Sequence, residues 1–268
     1  MSDKPTIDQD LRDRVKQHFG ATAQDYVMSA RHASGGGLDQ LVELAEPTFE
    51  SDALDIATGG GHTALALAPH VRHVIASDLT LQMIESAEKF LTEKGITNAS
   101  FQIAEAENLP FDDAGFDIVT CRIAPHHFSD VRAFCSEVAR VLRPGGRFIL
   151  IDSYAPDDDA FDEYINQVEW QRDNSHARSY RIPEWQQFIE DADLTIDHVE
   201  PFVRRFEFDE WTARTRMTPE AKTDLEQYML NAPQRVRDFF NVTTSEDGHV
   251  EAFDDNKVLI RARAPLSS

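Results

Sequence analysis

Cysteine and lysine are scarce in this chain. Only Cys121 and Cys135 occur, too few for a disulfide framework and without Cys-x-x-Cys spacing for a zinc site, so both read as buried free thiols. Lysine is confined to Lys4, Lys16, Lys89, Lys94, Lys222 and Lys257, and every other basic residue is arginine. Positive charge as a whole is short: 26 Lys and Arg stand against 48 Asp and Glu, a formal net charge of −22, which works against neutralising the phosphates of nucleic acid. An Asp-rich, Lys-poor surface suits high ionic strength, where carboxylate repulsion is screened. It reads as halophilic in character, with an ordinary acidic bacterial surface as the alternative. Long apolar runs are also missing. The longest run of large aliphatic or aromatic side chains is Phe148 to Ile151, against the roughly 20 residues a membrane helix needs. The first residues, MSDKPTIDQDLRDRV, are polar and charged, so no membrane insertion and a cytoplasmic location are expected.

What is present is an alternation. Between residues 50 and 152, strand-like runs at Ala53–Ala57, His73–Ser77, Ser100–Ala104, Phe116–Cys121 and Arg147–Asp152 are separated by helical patterns, the mark of βαβ units and a parallel sheet. Leu81 to Lys94 reads as a helix with Leu81, Ile84, Ala87 and Leu91 on one face and Gly95 as its stop. Ser129 is placed to cap a helix over Val131 to Leu142, and Pro144-Gly145-Gly146 ends it. Residues 8 to 45 look helical with a break at Gly35-Gly36-Gly37, and 157 to 192 look like two helices, the second opened by Pro183. Val203–Phe208 and Val258–Ala264 suggest a final strand pair, with a helix around Pro219 to Leu230 between them. One domain over 1–268 is expected: a helical cap about 8–45, a core about 50–152, and lid helices with C-terminal strands about 153–268.

The densest chemical signal is LDIATGGGHTA, Leu54 to Ala64, where glycines let the backbone turn sharply and approach a ligand closely. Taken alone it also satisfies a dinucleotide pattern through Gly59, Gly61 and Ala64, with Asp78 at the distance of a ribose ligand, so an NAD-dependent oxidoreductase is a rival. Asp55, inside the strand before the loop, favours a sulfonium over a pyrophosphate. Ala104-Glu105-Ala106-Glu107-Asn108-Leu109-Pro110-Phe111 puts an acidic side chain and a backbone amide at the carboxyl end of the third strand, where ligands of open α/β sheets bind. RVLRPGGRFIL follows at 140–150.

Together these segments resemble the class I S-adenosylmethionine (SAM)-dependent methyltransferases, in particular their UbiE/COQ5-like small-molecule branch, over about residues 18 to 195. The resemblance implies an α/β fold: a Rossmann-like, seven-stranded, mostly parallel sheet with helices on both faces and an antiparallel last strand. It implies SAM as cofactor and S-adenosylhomocysteine as product. The loop from Ala57 through Gly59 to Gly61 would hold the methionine part, Asp78 the ribose hydroxyls, Leu79 and Met83 the adenine face, Glu105 with Ala106 the adenine edge, and Arg122 the methionine end. The family usually has glycine where Ala57 stands and often aspartate where Glu105 stands. Cap and lid segments in that family point to Tyr26, Arg31 and His32 on one side of the substrate and Tyr154, Trp170, Arg178 and Tyr180 on the other, each with a packing or ion-pairing alternative. The turn Arg172 to Arg178 looks like one found in members of this branch. His126 and His127, in Pro125-His126-His127-Phe128 after the fourth strand, are candidates for a general base, with packing as the other reading. No histidine spacing suggests a metal, and methyl transfer from a sulfonium needs none. The expected partner is a small-molecule acceptor, and a SAM-binding protein without transfer activity is the rival of another class.

Overall fold

The computed structural model describes residues 10–17 and 37–266. Helix α1 spans 10–17 and α2 spans Leu38–Ala45. Then follow β1 (Asp52–Ile56), α3 (His62–Leu67), β2 (His73–Asp78), α4 (Leu81–Glu93), β3 (Ala99–Ile103), β4 (Phe116–Arg122), α5 (Val131–Val141) and β5 (Leu142–Ser153). Beyond them lie α6 (Asp159–Arg172), α7 (Ile182–Asp191), β6 (Thr195–Glu207), α8 (Phe208–Ala213), α9 (Pro219–Asn231), α10 (Gln234–Phe239), β7 (Thr243–Thr244) and β8 (Val250–Arg263).

The sheet order is β3-β2-β1-β4-β5-β8-β6. Pairings among β3, β2, β1, β4 and β5 are parallel, whereas β8 runs antiparallel to both β5 and β6. This is the expected sheet, with the two-residue β7 added along β8. Because chain order reverses between β1 and β4, the crevice that takes ligands in such sheets opens at their carboxyl ends.

Each face buries its own apolar set. Val131, Phe134, Cys135 and Val138 of α5 pack with Trp185 and Ile189 of α7 on one side. Leu41 of α2, Leu67 of α3 and Leu91 of α4 pack against Val74, Ile118 and Ile149 on the other. A third cluster joins Tyr164, Trp211, Leu225 and Met229 to Phe253 beneath the far end of β8.

Several local expectations are corrected. Leu81 is exposed, because Met83 joins Ile84, Ala87 and Leu91 in the buried set and turns the apolar stripe of α4 away from it. Asp130, not Ser129, caps α5, its carboxylate accepting from the Ala133 amide at 2.9 Å. Ser129 gives its amide and hydroxyl to Glu107 instead. The last strand pair is much longer than its apolar runs suggest, since oppositely charged neighbours do what apolar alternation does elsewhere. Arg205 meets Asp254, and Arg261 and Arg263 both meet Asp197, across β6 and β8. Gly95, at φ 77°, does end α4 as expected.

Candidate active site

The crevice above β1 and β4 is a pocket of about 1070 Å³, part of it open to solvent, lined by the first, second, third and fourth strand ends and by α1. Its floor begins at the β1–α3 loop. Ala57, Gly59 and Gly61 all take left-handed backbone angles, φ 52°, 53° and 84°. Ala57 therefore occupies a conformation that strains a residue with a Cβ, which accounts for glycine being usual at this place. Gly61 is required by packing: an added Cβ would meet Leu91 Cδ1 at 2.7 Å and Ala87 Cβ at 3.2 Å. At Gly59 a Cβ would meet nothing within 4 Å, so the backbone here faces the open pocket and can be approached closely.

Asp55 lies beneath this loop, buried, with Oδ2 accepting from Thr58 Oγ1 at 2.6 Å and Oδ1 from Thr120 Oγ1 at 2.8 Å. Burial pushes its carboxyl up to about 6 against the opposing pull of those hydroxyls. Asp78 closes β2. Its Oδ2 accepts from the Gly59 amide at 3.0 Å and its Oδ1 from the Thr80 amide and hydroxyl at 3.0 and 3.1 Å. Burial raises its carboxyl as well, outweighing these donors. Leu79 and Met83 continue the wall.

On the opposite wall the β3–β4 loop contributes Ala104, Ala106 and Glu107. Glu105 is not among the lining residues. Its Oε2 pairs with Arg12 Nη1 of α1 at 3.0 Å, so the acidic side chain stands at the rim beside Ala106. Arg122 lines the pocket at the end of β4, its Nε donating to Thr63 Oγ1 at 3.1 Å. Burial draws its guanidinium down to about 10.

The two adjacent histidines part company. His127 lines the pocket, with Nδ1 at 2.9 Å from the Ser175 carbonyl and 3.2 Å from its hydroxyl. His126 is turned into the protein, where Asp152 at the end of β5 takes its amide at 2.9 Å and faces its Nδ1 at 2.5 Å. Burial holds His126 well below the usual histidine range and pushes Asp152 up to about 7. The turn 172–178 is thereby fastened to the site: the Ala177 and Arg178 amides donate to the His126 carbonyl, and Asp173 accepts from Ser175 Oγ at 2.6 Å.

Among the described residues, those expected on the acceptor side do not line this pocket. Tyr154 forms an isolated bridge with Tyr180 and packs on the α5–α7 cluster, and Arg178 ties Asp162 of α6 to Glu184 of α7. Trp170 is exposed. Tyr26, Arg31 and His32 lie outside the described residues. Two pocket residues carry no sequence signal of their own: Arg12, which sits in a polar helix without any motif, and Glu107, although it is quoted within the 104–111 segment; behind the pocket, the buried Asp152 that holds His126 does carry the same sign as Asp78, a carboxylate near the end of a buried strand. Among the described residues no group of three or more His, Cys, Asp or Glu is placed to hold a metal, and no helix is long and apolar enough to cross a membrane.

Comparison with known proteins agrees with this geometry. Residues 54–150 match the family model described as a methyltransferase domain. An uncharacterised methyltransferase of Bacillus subtilis, YcgJ, is 38% identical over 243 residues, covering 91% of this chain and 96% of that protein. Its crystal structure superposes with a TM-score of 0.83 over 86% of this chain and 99% of that one. A candidate methyltransferase of Bacillus halodurans C-125 is also 38% identical, with a TM-score of 0.84 over 86% of this chain and all of that one. A demethylmenaquinone methyltransferase of Clavibacter sepedonicus is 35% identical over 45% of this chain and half of its own length. With the switch-point pocket, its glycine loop and its strand-end carboxylates in place, and a relative matched along nearly its whole length, this chain belongs to the class I methyltransferases.

Proposed function

We propose that the pocket binds SAM and that the protein moves its methyl group to a small-molecule acceptor, with S-adenosylhomocysteine as the second product. The observation that carries this reading is the pairing of a buried Asp55 beneath the glycine loop with Asp78 at the next strand end, both in one pocket. Asp78 suits two ribose hydroxyls, Leu79 and Met83 an adenine face, Ala106 the adenine edge with Glu105 at its rim, and Ala57 to Gly61 together with Arg122 the amino-acid end. When bound, the cofactor supplies an already activated methyl carbon, so the chain's task is alignment and exclusion of water. His127, set by Ser175, is the side chain placed to take a proton from the acceptor.

SAM and S-adenosylhomocysteine are each expected to raise the melting temperature, while NAD and NADP leave it unchanged. A shift with NAD alone would return the assignment to the oxidoreductase. Incubating the protein with methyl-labelled SAM and an extract of its host would then identify the acceptor. No label in any small molecule, despite cofactor binding, would favour a SAM-binding protein without transfer activity.

Asp55 adds a pH signature. Burial lifts its carboxyl to about 6 in the free protein, and a neighbouring sulfonium favours the ionised form. Binding SAM therefore releases a proton below about pH 6, and SAM affinity falls as the pH drops through that value, more steeply than that of the uncharged thioether product. Titration calorimetry near pH 5.5 in buffers of different ionisation heats would measure this release. Equal proton release for the two ligands would remove the sulfonium from the neighbourhood of Asp55.

A further inference from the structure

Helix α1 contributes to the pocket without any motif to announce it. Arg12 and Val15 both line the cavity, and Leu11 is buried. The Arg12 side chain is only 11% exposed, with Nη1 at 3.0 Å from Glu105 Oε2 and Nη2 at 3.9 Å from Glu107 Oε2. Glu107 is fixed from its other oxygen, Oε1, by the amide and hydroxyl of Ser129, each at 3.0 Å. One guanidinium thus spans the acidic pair of the β3–β4 loop and closes α1 onto the wall that carries Ala106. Its Nη2 is buried and has no hydrogen-bond acceptor among the described residues. A buried donor left over beside a pocket wall can be met by an acceptor on a ligand.

We propose that Arg12 is a cofactor-binding residue: it clamps α1 to Glu105 and Glu107 over the adenine end of the pocket and donates from Nη2 to the bound adenosyl group. This rests on the SAM reading above. The planar fork of arginine fits the task, since it can serve a carboxylate on one edge and a second acceptor on another, which an ammonium cannot do in one plane. Held this way, the ligand leaves only when the clamp opens, so the effect falls mainly on dissociation.

The test measures S-adenosylhomocysteine and adenosine by titration calorimetry, and S-adenosylhomocysteine dissociation by stopped flow, on the wild type, Arg12→Ala, Arg12→Lys, Glu105→Gln and the double variant Arg12→Ala/Glu105→Gln. Arg12→Ala is expected to weaken both ligands by about tenfold, the loss of one charge-assisted hydrogen bond, chiefly through faster release. Arg12→Lys should recover part of the affinity. The double variant should bind no more weakly than Arg12→Ala, because Glu105 acts through Arg12. A wild-type circular dichroism spectrum and a single cooperative melt for each ligand-free variant show that the fold is kept, whatever the lost clamp subtracts from the melting temperature. Wild-type affinity in Arg12→Ala overturns the inference alone, as does strict additivity of the two substitutions. A loss for S-adenosylhomocysteine without one for adenosine overturns the adenine placement. No binding of either ligand by the wild type overturns the cofactor reading and this inference with it.

Discussion

Replacing Asp78 by alanine is expected to weaken SAM binding about a hundredfold. The carboxylate ends β2 inside the pocket and accepts from the Gly59 amide at 3.0 Å, so it both shapes the glycine loop and faces the place proposed for the ribose. Two hydrogen bonds from ribose hydroxyls to a charged group contribute at least about 3 kcal/mol together, and about 1.4 kcal/mol is one decade in affinity. Burial of Asp78, which raises its carboxyl, leaves it little water to fall back on when the ligand is absent, and so favours a ligand that brings its own donors. Glu85→Ala is the control, since Glu85 is exposed on α4 away from the buried stripe. Calorimetric titration of both variants decides the point: equal SAM affinities with the fold intact would move the ribose site elsewhere.

The second large effect concerns the adjacent histidines, which are expected to separate in function as they do in space. His127→Ala should lower turnover on the acceptor about 100-fold while leaving SAM affinity unchanged, because its ring lines the pocket and its Nδ1 is occupied by Ser175. His126→Ala should instead lower the melting temperature. It leaves the buried Asp152 without its ring partner, a loss of about 1–3 kcal/mol for an unsatisfied buried group. Steady-state kinetics with the labelled acceptor, read beside thermal melts, tests both halves. Full turnover in His127→Ala would return that residue to packing, and a stable His126→Ala with impaired turnover would reverse the assignment.

The parallel half of the sheet could be read from sequence because its inner strands β1, β2, β4 and β5 are largely buried and announce themselves as apolar runs, such as Val74-Ile75-Ala76 or Phe148 to Ile151, ending in a turn, while β3 at the edge is partly exposed. The lining of the switch-point pocket was legible for a related reason. Its polar groups sit at or near strand ends, where an Asp or a glycine interrupts an apolar run, as Asp55, Asp78 and Gly59 do. The same reasoning misses what depends on distant partners. The apolar residues from Val203 to Phe208 announce only the end of β6, and its extension back to Thr195 along β8 emerges only when Asp197 meets Arg261 and Arg263. Arg178, read either as a substrate contact or as an ion-pairing residue, meets Asp162 and Glu184, carboxylates that no local pattern identifies as its partners. Arg12 lies more than ninety residues from the glutamate it holds, and helix periodicity says nothing of such a reach.

The place of β8 has a consequence for the birth of the molecule. It is the last strand of the described chain, yet it lies inside the sheet, between β5 and β6. As the chain leaves the ribosome, the five parallel strands and their helices can close in order of synthesis. Strand β6 then waits without a neighbour, and Phe206, Trp211 and Phe253, which end up packed together, have nothing to assemble around until β8 arrives to slot between two strands made long before it. Such non-local pairing is slow. The nascent protein thus passes through a stage in which the ligand crevice is built but one sheet edge lies open, the stage at which a chaperone has most to shield.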